Sequence, residues 1–112
     1  MAVIVLADLF GLSGRRGELL ALLERSERDA AGEPGCRRYT FATTLVDPDR
    51  FVMLSEWDNP EALDAHYRSD AFAAFQFGLH GLLAQPSEMT AYSVDASVRP
   101  VNTRPMDPRD AD

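Results

Sequence analysis

Two extended segments of this chain carry large apolar side chains on both of their alternating faces. Val3, Val5 and Leu9 fall on one side of the first, and Ile4, Leu6 and Phe10 on the other. In the second, Phe51, Met53, Ser55 and Trp57 share one face, and Val52, Leu54 and Glu56 the opposite one. A strand with one wet face alternates apolar and polar residues, so these strands need cover on both sides. A chain of 112 residues makes one compact domain, and 46 % apolar residues is a high load for a domain that small. Where that surplus goes is the main constraint on the fold.

The remaining segments supply one layer of cover. From Arg15 to about Ala31 the apolar spacing becomes helical, with Leu19, Leu23, Ser26 and Ala30 as the core stripe, Ser13 as the N-cap and Gly32 as the residue past the end. Cys36 to Val46 alternates as a strand, with Tyr39, Phe41 and Leu45 on one side, and Asp47-Pro48-Asp49-Arg50 turns it into the Phe51 strand as a hairpin. Asn59 and Pro60 open a second helix, which restarts at Ser69-Asp70 and carries Phe72, Phe75, Leu79, Leu82 and Leu83 to about Ala84. Glu88 to Val94 is a last short strand. The order strand, helix, strand, strand, helix, strand is the split β-α-β, ferredoxin-like arrangement, an α+β fold with two helices covering one face of a four-stranded antiparallel sheet; pairing as a dimeric α+β barrel follows from the bare face. Nothing in the chain covers the other face. A second copy packed sheet on sheet does, which predicts a homodimer.

Composition removes several function classes. The chain has 11 basic and 18 acidic residues, a net charge of −7, and every basic residue is Arg. That balance argues against nucleic acid, whose phosphates need a basic face. No apolar run reaches the roughly 20 residues of a membrane span, and the N-terminus lacks the basic flank and cleavage site of a signal peptide, so the expectation is a cytoplasmic domain. A single cysteine, Cys36, excludes an internal disulfide. Residues 99–112 hold three Pro, three Arg and three Asp and read as a tail, leaving 1–98 as the folded domain and the bearer of the whole net charge.

Several motifs occur together in order: Glu33-Pro34-Gly35-Cys36 before the second strand, Asp47-Pro48 in the hairpin, Glu56-Trp57 ending the third strand, and Leu63-x-x-His66-x-x-Ser69-x-x-Phe72-x-x-Phe75. Over about residues 2 to 95 the chain resembles the antibiotic biosynthesis monooxygenase family of dimeric α+β barrels. The resemblance implies homodimers with a cavity between sheet and helices in each subunit. It also implies oxygenases that use no metal or flavin and act on phenolic polycycles or quinols. The chemistry needs few residues: a deprotonated phenol or quinol can itself give an electron to O2. The protein binds an aromatic plate, takes a proton and steadies the oxyanion.

On this reading His66 is the acid–base residue, since an imidazole titrates near neutral pH; the alternative is a hydrogen-bonded histidine that orients its helix. Trp57 and Tyr67 are the hydrogen-bond donors, or core side chains. Tyr39, Met53, Phe72, Phe75 and Tyr92 are expected to line the substrate site, with packing as the alternative for each. His80 falls off the apolar stripe and is expected at the surface. With two histidines and no third ligand at suitable spacing, no metal site is expected. The family's substrate-holding Asn corresponds to Met53 here. The haem-ligating His of another branch corresponds to Gln76, and that branch's first-strand Asn falls at Ala7-Asp8, so haem is disfavoured. Two other functions remain open: a non-catalytic binder of an aromatic ligand that assists a biosynthetic pathway, and an oxygenase borrowing diffusible reduced flavin. The chain has no glycine-rich phosphate loop for a tightly held nucleotide.

Overall fold

The computed structural model describes residues 1–95 together with Ser97 and Arg109. The boundary at 98/99 and the tail lie outside the described residues, apart from Arg109. The chain runs β1 (Ala2–Phe10), α1 (Arg16–Ala31), β2 (Cys36–Thr43), β3 (Arg50–Trp57), α2 (Pro60–Tyr67), α3 (Asp70–Gly78) and β4 (Glu88–Val94). The strands form one antiparallel sheet in the order β2-β3-β1-β4, the ferredoxin-like topology the sequence order implies.

Register assigns each side chain to a face. Val3 pairs with Trp57, Val5 with Ser55, Ala7 with Met53 and Leu9 with Phe51. All eight are buried beneath the helices. The intervening pairs, Ile4 with Glu56, Leu6 with Leu54 and Asp8 with Val52, point to the side without helices. α1 lays Leu19, Leu23, Ser26 and Ala30 onto the sheet as its spacing predicts. Each buried leucine there contributes about 1.5–3 kcal/mol. Glu27, on the same helix, accepts from the Phe41 N–H at 2.7 Å and so occupies an edge donor of β2.

Four local expectations need correction. Ser13 does not cap α1: Gly14 turns at φ 85°, and the helix opens at Arg15 without a side-chain cap. Gly32 ends the helix in a right-handed conformation (φ −86°), and the left-handed glycine is Gly35 (φ 81°). β2 stops at Thr43, three residues short of Val46, and Leu45 and Val46 are exposed in the hairpin loop, where Thr44 Oγ1 donates to the Asp47 carbonyl at 2.9 Å and closes the turn around them. The last helix stops at Gly78, not Ala84. Gly78 packs so closely on Leu22 that an added Cβ would stand 2.9 Å from it, and Gly81 then turns at φ 78°. Leu83 beyond the turn bridges to Gly11, and Leu82 is still buried although it lies outside the helix.

The break between α2 and α3 follows its sequence signals. Asn59 Oδ1 accepts from the Ala62 N–H at 2.9 Å with Pro60 at the first helical position. Ser69 Oγ accepts from the Phe72 N–H at 3.1 Å and donates to the His66 carbonyl at 2.7 Å. One serine therefore ends α2, starts α3 and sets the corner that brings His66 and Phe72 together.

Candidate active site

The helices do not fill the space above the sheet. A cavity of about 100 Å³ lies between β1–β3 and the α2–α3 corner, with Met89 of β4 and Ser87 at its side. Tyr39, Met53, Phe72 and Phe75 all line it, as do His66 and Tyr67. Tyr92 does not. It pairs with Ile4, which places it on the helix-free face, 51 % exposed. Trp57 is also absent from the walls. It is fully buried, and its indole N–H donates to Ser55 Oγ at 3.0 Å, so the donor expected for a substrate is committed to a neighbour two residues away.

His66 sits in an aromatic box. Its ring centroid is 4.7 Å from Trp57, 4.9 Å from Phe72, 5.4 Å from Tyr39 and 5.5 Å from Tyr67. On one edge, Nδ1 meets Glu33 Oε2 at 2.7 Å. A carboxylate can only accept there, so Nδ1 carries the hydrogen and the lone pair of the neutral ring is on Nε2, the orientation a general base requires. Glu33 comes from the turn after α1. That turn approaches α2 so closely that a Cβ on Gly35 would stand 2.6 Å from Ala62 Cβ, and the Asp58 N–H donates to the Gly35 carbonyl at 2.8 Å. The glycine thereby delivers Glu33 to a histidine 33 residues away.

The other polar groups have distinct tasks. Burial, opposed by a hydrogen bond with Ser26, pushes the Tyr39 phenol up to about 12. Burial, with Asp64 nearby, also raises Tyr67, whose hydroxyl donates to Met89 Sδ at 3.6 Å. Both phenols stay neutral near neutral pH and serve as donors. Ser55 is buried in the cavity wall. Its oxygen accepts from Trp57, which leaves its O–H free to donate. Burial raises the Cys36 thiol, so it remains protonated and a poor nucleophile. His80 is exposed, as its position off the stripe predicts. Among the described residues, no three His, Cys, Asp or Glu side chains gather in an arrangement that could hold a metal ion, and no helix is long and apolar enough to cross a membrane.

The sequence reading missed Glu33 as a partner of His66, and Ser55 as a cavity donor. Glu33 is visible only as part of a turn motif, and its contact spans 33 residues. Ser55 did carry a signal: it is the one hydroxyl among the large side chains of the buried β3 face.

The profile of the antibiotic biosynthesis monooxygenase family matches residues 2–77. The chain belongs to that family. Solved structures repeat the fold of this family member. Rv0793 of Mycobacterium tuberculosis superposes with a TM-score of 0.81 at 24 % identity, over 88 % of this chain and 100 % of that one. A candidate antibiotic biosynthesis monooxygenase from Deinococcus radiodurans gives 0.84 at 23 % identity, over 89 % and 99 %. A conserved protein of Methanosarcina mazei gives 0.78 at 28 % identity, over 82 % and 91 %. The uncharacterised protein sll1783 of Synechocystis is 27 % identical over 92 residues, which are 82 % of this chain and 63 % of that protein. This chain thus spans less than two thirds of that relative.

Proposed function

We propose that this protein is a monooxygenase that oxidises a small phenol or quinol with O2 and needs no bound cofactor, the deprotonated substrate supplying the electrons. The observation that carries this reading is His66. It is a base candidate oriented by a carboxylate, on the wall of a largely aromatic and apolar cavity. His66 Nε2 takes the phenolic proton, Ser55 and Tyr67 donate to the oxyanion, and the electron-rich ring transfers an electron to O2. For a phenol the balance closes as phenol plus O2 giving quinone plus water, with one oxygen atom forming the new carbonyl. Removing the base is expected to slow such a step about 10²–10⁴-fold.

Cavity size narrows the substrate. An apolar cavity of roughly 150 Å³ accepts one benzene ring. A space of about 100 Å³ beside a mouth flanked by Met89 suits a single ring better than a fused polycycle. The negative net charge favours a neutral ligand over an anionic one.

The active unit is a homodimer paired through the helix-free face. This is supported by Leu6 and Val52, 44 % and 37 % exposed, with Ile4, Leu54 and Tyr92 alongside them on one side of the sheet. O2 uptake with a panel of single-ring and fused phenols and quinols tests the function. Uptake without added flavin supports it. Uptake only with reduced flavin replaces it with the flavin-assisted route, and ligand binding without uptake replaces it with a binding role.

A further inference from the structure

The His66–Glu33 pair does more than face the cavity. Besides the main cavity, His66 borders two other spaces, and Glu33 borders both of these. One is a crevice of about 30 Å³ between α1 and α3, lined also by Ser26 and Asp29. A crevice of that size has room for a water molecule, with polar side chains beside it. The other is a wide surface recess beyond Pro34 and Asn59. The exposures are graded outward: the His66 side chain is 5 % exposed and that of Glu33 is 19 %. The pair therefore reaches from the wall of the main cavity out to water.

A phenolic proton needs such an exit. Tyr39 is already hydrogen-bonded with Ser26, and burial makes its phenol resist ionisation. Tyr67 gives its hydroxyl to a thioether, which is no base. The charged groups around Glu33 are Arg25 and Asp29 of α1 in the crevice, and Asp58 and Glu61 in the recess. Asp58 is paired with Arg37 at 2.6 Å, which leaves Glu33 as the carboxylate in contact with His66.

We propose that Glu33 is the proton outlet of the cavity, relaying to solvent the proton that His66 takes from a bound phenol; this rests on the reading of His66 as the base. The substrate O–H breaks as Nε2–H forms, Nδ1–H breaks as Glu33 Oε2–H forms, and Glu33 releases its proton to water. The ring is left as the Nε2–H tautomer. In the second half of the cycle the O–O bond and the ring C–H at the new carbonyl carbon break together, the leaving oxygen takes that proton and the one on Nε2 to become water, and Nδ1 is reloaded from solvent through Glu33. One proton leaves and one returns, so phenol plus O2 still balances to quinone plus water.

The test needs no oxygen. The full chain is mixed anaerobically with 4-nitrophenol, whose phenolate absorbs visibly, below that phenol's own pKa, while an indicator dye reports bulk protons. Wild type is expected to form phenolate and release one proton per phenol bound. Glu33→Gln still accepts from Nδ1–H through its amide oxygen but cannot carry the proton; release should slow about tenfold or more and recover with added formate. Glu33→Asp should keep intermediate release, and serves as the second variant if the glutamine form folds poorly. Wild-type release rates in Glu33→Gln, slow release that formate leaves unchanged, or no release from wild type would each overturn the relay. O2 uptake measured separately keeps the two claims apart: release without uptake preserves the relay and removes the oxygenase, whereas uptake with an indifferent Glu33 does the reverse.

Discussion

The two faces of the sheet are built from alternate residues of the same strands, yet they do different things. On the helix-covered face, Val5, Phe51, Ser55 and Trp57 are essentially inaccessible, and the cover opens into a cavity where Tyr39, His66, Phe72 and Phe75 meet. On the other face, Ile4, Leu6, Val52, Leu54 and Tyr92 form an apolar surface that no helix among the described residues covers. Charged side chains flank it at both ends: at one, Arg50 pairs with Asp8 at 3.1 Å and stacks over Phe10 at 5.5 Å, and at the other Glu56 stands in register beside Ile4 and Arg38. A gap in a cover encloses a small molecule. A missing cover invites a surface of equal size. The comparison separates ligand binding from association onto opposite sides of one sheet.

Variants on each side should therefore fail in different ways. The largest stability loss belongs to the covered face. Trp57→Ala removes the largest inaccessible side chain and the donor to Ser55, and should cost about 3–5 kcal/mol in urea denaturation. On the open face, Leu6→Asp places a charge where a partner sheet would pack. It should weaken dimerisation about 100-fold by sedimentation, close to 3 kcal/mol, and leave the monomer's far-ultraviolet spectrum unchanged. If Leu6→Asp unfolds the protomer instead, the two faces are not independent.

Two smaller effects sharpen the covered side. Tyr39 is buried, and its pKa is about 12 in the fold against about 10 when unfolded. The folded state then holds more protons between those values, so stability is full below about pH 10 and falls by about 2–3 kcal/mol as pH rises towards 12. Tyr39→Phe should flatten that slope in alkaline denaturation curves. Gly35→Ala forces a side chain into φ 81° and against Ala62, and should cost about 1–3 kcal/mol in thermal unfolding. The open face should not respond: dimer affinity measured below the unfolding transition should stay at its wild-type value.

Much of this layout is legible in the sequence because it is periodic. The α1 stripe, the buried β3 face and the caps at Asn59 and Ser69 follow from spacing and local chemistry alone. What fails is what depends on other parts of the chain. Tyr92 has the same parity argument for either side of β4, and only its pairing with Ile4 turns it away from the cavity. Leu45 and Val46 look like strand residues, but the Thr44–Asp47 hydrogen bond closes the turn around them. The Glu33–His66 bond joins a turn to a helix, and no local pattern announces it.

The central claim is that His66 acts as a base inside the cavity and does not merely hold α2 in place. The direct measurement is O2 consumption by His66→Asn against wild type on the best single-ring phenol, with substrate binding followed in parallel. The account predicts kcat reduced about 10²–10⁴-fold while binding and dimerisation persist. Turnover at the wild-type rate in a folded His66→Asn protein would contradict it.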